Sequence, residues 1–207
     1  MTEVPELYMR EHALYAKGCT SVAGIDEVGY GALAGPITVA ICVLDPEKPI
    51  EDLKDSKKFS SHKRRAQVAQ DIRENALDYH IAFRSNEAID QYGIVGALQQ
   101  AQLECISKLA KMPDRILIDG TPFKVKLDCD ETYIVKGDAT VACIAAASII
   151  AKVARDELMM ELEARHPEYV SYGFAQNKGY GSAAHREALG REGLTRLHRK
   201  SYCANLV

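Results

Sequence analysis

Three apolar runs in this chain end at acidic residues standing close to glycines, a pattern that demands a sheet whose strand ends gather carboxylates. Ser21 to Asp26 leads into Asp26-Glu27 between Gly24 and Gly29, Arg115 to Asp119 ends at Asp119-Gly120, and Thr132 to Val135 runs into Gly137-Asp138. Short runs of β-branched and aliphatic residues bounded by such punctuation read as strands. Carboxylates are the ligands of choice for hard ions such as Mg2+ and Mn2+, so Asp26, Glu27, Asp119 and Asp138 are candidate metal ligands and catalytic groups. Taken alone, Asp119-Gly120 reads as a turn and Asp138 as an N-cap; beside the Asp26-Glu27 stretch they read as one cluster. Neighbours on a regular strand point to opposite faces, so Asp26 and Glu27 share a site only if the strand ends or bends there. Gly29 and Gly31 supply that freedom.

Around these runs the pattern alternates. An amphipathic helix is expected from about Pro5 to Ala16, to pack on the sheet, and Ile37 to Leu44 is a second strand. Ser60 or Ser61 caps a helix running to about Asp78, and Tyr79 to Phe83 is a further strand. A short helix lies between Asn86 and Tyr92-Gly93, and a longer one runs from Ile94 to Lys111 before Pro113. Small and aliphatic residues from Ala139 to Arg165 predict a long helix opened by Asp138 and ended by His166-Pro167. Strands first, then strands alternating with helices, give an α/β protein with a mixed sheet. Residues 1–165 are expected to form the main domain and 166–207, with a helix near Ala183 to Gly190, a small helical appendage beside the catalytic edge.

A net charge of −3 over 207 residues excludes indiscriminate nucleic-acid binding by bulk electrostatics, so any phosphate-binding surface has to be local. The six cysteines show no C-x-x-C pairing, which suggests a reducing compartment and no zinc site. The acidic N-terminal stretch is no signal peptide, and no apolar run reaches membrane-spanning length. A cytoplasmic, monomeric protein with no membrane partner is expected.

The stretch Gly24-Ile25-Asp26-Glu27-Val28-Gly29-Tyr30-Gly31-Ala32-Leu33-Ala34-Gly35-Pro36 resembles the signature of ribonuclease HII. So do Asp55-Ser56-Lys57-Lys58, Ala145 to Lys152, Tyr172-Gly173-Phe174, Lys178-Gly179-Tyr180, His185 and His198-Arg199-Lys200-Ser201, so the resemblance spans nearly the whole chain. It implies a ribonuclease H-like fold, a mixed sheet flanked by helices with a helical C-terminal part. It also implies an endoribonuclease that degrades RNA in RNA/DNA hybrids and cuts 5′ of ribonucleotides embedded in duplex DNA, leaving 5′-phosphate and 3′-hydroxyl ends. Two divalent ions, Mg2+ or Mn2+, would be held by Asp26, Glu27, Asp119 and Asp138, with Asp26 as the bridge. One ion would position the attacking water and the other stabilise the departing 3′ oxygen.

Telling RNA from DNA requires contact with the 2′-hydroxyl. In the family a glycine-arginine-glycine backbone and a C-terminal tyrosine sense the ribonucleotide junction; here they look like Gly29, Tyr30, Gly31 and Tyr180. Tyr30 stands where the family has arginine and loses the charge and forked donors that suit phosphate. Lys57, Lys58 and Lys178 are candidate phosphate contacts, Lys63 to Arg65 a solvated helix face, and Ser148 a helix-packing residue. His185 and His198 read equally as structural histidines or as aids to product release. Two alternatives stay open: a hybrid-binding module without turnover, and a hybrid-only nuclease altered at Tyr30. A dinucleotide fingerprint fails, because Pro36 leads into a strand where a helix should open.

Overall fold

The structure, a computed structural model, describes residues 5–120 and 129–206. Five strands form one sheet in the order β3-β2-β1-β4-β5, with β1 Val22–Val28, β2 Ile37–Val43, β3 Asp78–Arg84, β4 Arg115–Asp119 and β5 Asp130–Ile134. β1, β2 and β3 pair antiparallel, while β1, β4 and β5 run parallel. The carboxyl ends of the three parallel strands therefore meet at one edge. That edge is where open α/β sheets place their ligand crevices.

Helix α3 (Asn86–Lys108) covers one face. Its two expected halves are one helix interrupted at Gly93, whose φ of 72° breaks the regular geometry. The other face carries α4 (Ala142–Arg165), backed by α2 (His62–Asn75) and by α1 (Met9–Tyr15). Ser61 caps α2 by accepting from the Arg64 amide at 3.2 Å. The first half of α4 is apolar on every side because it is enclosed on every side: Ala142 to Ala151 are all buried between sheet and helices. At Gly24 the helix meets β1 with no side chain between, since a Cβ there would stand 2.2 Å from the carbonyl carbon of Cys143.

Several expected boundaries move. β5 begins at Asp130 and ends at Ile134, where pairing with β4 runs Arg115↔Asp130 to Asp119↔Ile134; Val135 is 79% exposed beyond it. α2 stops at Asn75 because Ala76 is already extended toward β3. Asp138 does not open α4. It lies in a 3-10 turn, Gly137–Ala139, and the cap position is Val141. The Gly137 amide donates to Asp119 Oδ1 at 2.6 Å and Lys136 adopts φ 58°, so the chain turns through Gly137–Ala139 before α4 begins. The start of α4 is instead served from outside, by buried Glu11 on α1, whose Oε1 accepts from the Cys143 amide at 2.7 Å. Burial pushes the Glu11 pKa up, against the opposing pull of that amide.

The C-terminal segment, with α5 (Phe174–Asn177), α6 (Ala183–Glu192) and α7 (Lys200–Cys203), packs around Tyr169, Tyr172, Phe174 and Leu189. Leu33, Ala34 and Met159 from the sheet-bearing part complete that cluster. Within it His185 and His198 are buried, with their Nε2 atoms 2.9 Å apart. The Thr195 amide donates to His198 Nδ1 at 2.8 Å, so the His198 proton sits on Nε2 and is given to His185 Nε2. His185 then carries its proton on Nδ1 and donates to the Tyr180 carbonyl at 2.9 Å. In this arrangement both rings are neutral. No helix among the described residues is long and apolar enough to cross a membrane.

Two outcomes follow. Gly24→Ala drives a methyl into helix backbone that has nowhere to go; a loss of about 3 kcal/mol or more in urea unfolding is expected, and a loss under about 1 kcal/mol would mean α4 slides freely on β1. Burial lowers both histidine pKa values, that of His198 to about 4. The unfolded chain, with imidazoles near pH 6.5, therefore takes up protons first as pH falls. Stability from this pair is complete above pH 6.5 and lost toward pH 4, by roughly 2–3 kcal/mol. Replacing both rings, His185→Phe with His198→Leu, should flatten the slope of urea stability across that window.

Candidate active site

Asp26, Glu27, Asp119 and Asp138 all line one cleft of about 380 Å³. Their convergence follows from the sheet register. Ile25 pairs with Ile118 and pairing of β1 with β4 stops there, so Asp26 and Asp119 occupy the next step on adjacent parallel strands. β5 carries the chain on to the Gly137–Ala139 turn and so to Asp138. β1 does not end at Asp26, as expected, but stays paired with β2 through Val28; only its β4 side opens. The sharp turn comes at Gly29, with φ 96°. The Glu27 amide donates to Asp26 Oδ1 at 2.8 Å, which fixes the first acid with the backbone of the second.

Asp26 is 5% exposed. Burial first, then the charges of Glu27 and Asp119, raise its pKa well above the usual carboxylate range, and a hydrogen bond with Ser148 opposes the rise. Like charges 4 Å apart repel by about 4 kcal/mol at the effective dielectric of a protein surface. A cleft that collects four acids therefore favours a cation, and the all-oxygen donor set fits a hard divalent ion. Among the described residues no three acids are already drawn together closely enough to clamp an ion, so the fit rests on donor chemistry and charge.

The same cleft also carries two bases, a feature not read from the sequence. Arg65 and Lys152 line the cleft together with Ser56 and Ser148. Buried Asp156 holds both bases, with Lys152 Nζ at 2.7 Å and Arg65 Nη1 at 3.7 Å. The Ser56 and Ser148 hydroxyls are 3.0 Å apart. The one signal available was the Lys152–Asp156 spacing of four on a helix; Arg65 gave none, since it sits in a run of bases that reads as solvated.

Gly29, Tyr30, Gly31 and Tyr180 also line the cleft. Gly29 is glycine for an internal reason, because a Cβ would stand 2.3 Å from Arg155 Nε. Gly31 is different: nothing lies within 4 Å of a Cβ built there. Its bare backbone faces the cleft. The Tyr30 side chain is 45% exposed, and its carbonyl accepts from Arg199 Nη1 at 3.0 Å and from the Tyr202 hydroxyl at 3.2 Å. The Tyr180 ring lies 5.7 Å from Lys152 Nζ and 5.3 Å from Arg155 Cζ. Two candidate lysines, Lys178 and Lys58, are not part of this lining. Lys178 turns its ammonium onto the Ala175 carbonyl, and exposed Lys58 lines a separate depression near Thr140. The Lys57 side chain lies outside the described residues.

A profile described as Ribonuclease HII matches residues 23–205. The chain is 42% identical over 197 residues to the ribonuclease HII of Clostridioides difficile (strain 630), covering 95% of this chain and 75% of that protein. It is 45% identical over 188 residues to the ribonuclease HII of Vibrio vulnificus (strain YJ016), covering 91% and 88%. Among solved structures, ribonuclease HII of Archaeoglobus fulgidus in its complex with PCNA superposes with a TM-score of 0.74 at 27% identity, over 89% of this chain and 96% of that one. A mixed five-stranded sheet that brings four acids to one edge, and a family match over almost its whole length, agree: this chain belongs to the ribonuclease HII family and is an endoribonuclease of the ribonuclease H type.

Proposed function

We propose that the protein is a divalent-metal-dependent, monomeric endonuclease that degrades the RNA strand of RNA/DNA hybrids and incises 5′ of single ribonucleotides in duplex DNA, leaving 5′-phosphate and 3′-hydroxyl ends. The observation that carries this reading is the shared lining of one cleft by four acids, two bases, the bare Gly31 backbone and the Tyr180 ring. Asp26, Glu27, Asp119 and Asp138 are the residues to hold Mg2+ or Mn2+, which would supply charge screening at the phosphate and an acidified water. Everything else is the work of the chain. Arg65 and Lys152 place positive charge in the same cleft as the acids, where a nucleic-acid backbone gains phosphate contacts that carry no sequence information. Gly31 lets backbone approach a ribose, and Tyr180 offers a ring face for the sugar or the adjoining base. Ser148 supports Asp26 through its hydrogen bond.

The test is cleavage of two labelled duplexes, one with a single embedded ribonucleotide and one a continuous hybrid, in Mg2+ and in Mn2+. Incision 5′ of the single ribonucleotide is the expected result. Cutting of the hybrid alone would favour a nuclease altered at the junction reader, and binding without cutting would favour the turnover-free module. Asp26→Asn and Asp138→Asn should each lower cleavage by at least about 10²-fold with the circular dichroism spectrum unchanged; full activity in Asp138→Asn would remove that residue from the site.

Tyr30 stands on the exposed rim, where an arginine could reach a phosphate. Tyr30→Arg is expected to steepen the log–log salt dependence of substrate binding by about 0.9, one extra phosphate contact, and to lower KM. Identical slopes and rates for the two proteins would show that this position does not touch the backbone.

A further inference from the structure

Two arginines are among the most deeply buried side chains in the protein, Arg155 in α4 and Arg199 before α7, both at 0% exposure. Burying a guanidinium is costly unless its donors are well met, and here backbone carbonyls take the donors of Arg155 and all but the Nη2 of Arg199, which has no hydrogen-bond partner among the described residues. Arg199 gives Nε to Gly35 O at 3.0 Å and Nη1 to Tyr30 O at 3.0 Å. Both partners lie in the glycine-rich turn.

Arg155 reaches further. Its Nε donates to Pro36 O at 2.9 Å and its Nη2 to Ala34 O at 3.1 Å, both in the same turn. Its Nη1 donates to Lys178 O at 2.8 Å, in the C-terminal segment, and its Cζ stands 5.3 Å from the Tyr180 ring. One rigid plane thus touches both pieces of chain that face a ribose. Gly29 has no room for a side chain because that plane fills the space. The same two pieces meet directly where the Leu33 and Ala34 amides donate to Gly179 O at 2.8 and 3.1 Å. A lysine cannot copy this, since one ammonium point charge cannot span carbonyls on two segments.

We propose that Arg155 is a positioning residue for ribose recognition: its guanidinium fixes the offset between the Gly29–Gly31 backbone and the Tyr180 ring, and so sets selectivity for the 2′-hydroxyl without touching the substrate. The proposal rests on the reading of Gly29, Gly31 and Tyr180 given above. A shift of the ring by a fraction of its own width misplaces the sugar relative to the acids, and such misplacement costs rate more than affinity.

The test is a double-mutant cycle on the full chain with Arg155→Lys, Tyr180→Ala and the pair, assayed on a duplex with one embedded ribonucleotide at a temperature where thermal melts show every protein folded. Arg155→Lys is expected to lower kcat/KM at least tenfold, mostly through kcat, and to cost less than a third as much when Tyr180 is already alanine. Equal costs in both backgrounds would overturn the proposal and leave Arg155 a scaffold residue. Should Arg155→Lys not fold, Gly179→Ala takes its place: its Cβ would stand 2.3 Å from Ala34 O and part the same two segments. The same non-additivity with Tyr180→Ala is expected there, and additive costs would again overturn the proposal. Failure of the unaltered protein to incise the embedded ribonucleotide would instead defeat the recognition reading itself, a result separate from additivity in a protein that does incise.

Discussion

The contact on which the rest of this structure depends is helix α4 lying directly on β1 at Gly24, backbone against backbone. Because nothing holds the two apart there, one stripe of α4 runs close along the whole edge of the site. Ser148 reaches Asp26, Lys152 and Arg155 flank Tyr180, and Met159 fills the space beside Gly35 and Gly179. Residues 148, 152, 155 and 159 fall on one helical face. A wider spacing between helix and strand would loosen all of these together, so the packing of a core and the placement of a site are here the same fact.

The electrostatics are arranged locally and not by net charge. An overall charge of −3 hides a cleft lined by both four acids and two bases. Asp156 keeps the bases in place by pairing with both, which leaves them fixed before any phosphate arrives. Behind the cleft two further positive charges are sealed in, each held by carbonyls of the turn that borders it.

Much of this was legible. The run Arg115 to Asp119 is the observed β4 to the residue, Ser61 caps α2, and His166-Pro167 ends α4, because each is a local signal that tertiary structure does not contest. That the four acids would share one cleft was legible from acidic residues beside glycines near the strands, written in order along the chain. What could not be read depends on partners far apart in sequence. Asp138 looked like a cap because it precedes a helical run, yet the cap comes from Glu11, on another helix. Arg65, Arg155 and Arg199 carry charge, and charge in a sequence reads as solvent; only the fold shows that carbonyls or an aspartate take its place. At Lys178 the carbonyl, and not only the ammonium read from the sequence, is engaged: it accepts from Arg155 while the ammonium rests on the Ala175 carbonyl.

The turn that follows β1 is held by residues nearly the full length of the chain away. Its Leu33 and Ala34 amides donate to Gly179 O, its Gly35 amide to Leu197 O, and its Leu33 carbonyl accepts from the Arg199 amide. Those partners, Gly179, Leu197 and Arg199, all follow α4 in the chain. The stretch that holds all four acids and the whole of α4 therefore contains none of these anchors of the turn. Strand register gathers the carboxylates, but the wall beside them is closed only by contacts of long sequence separation, with residues 179–199 as the fastener of the turn after β1.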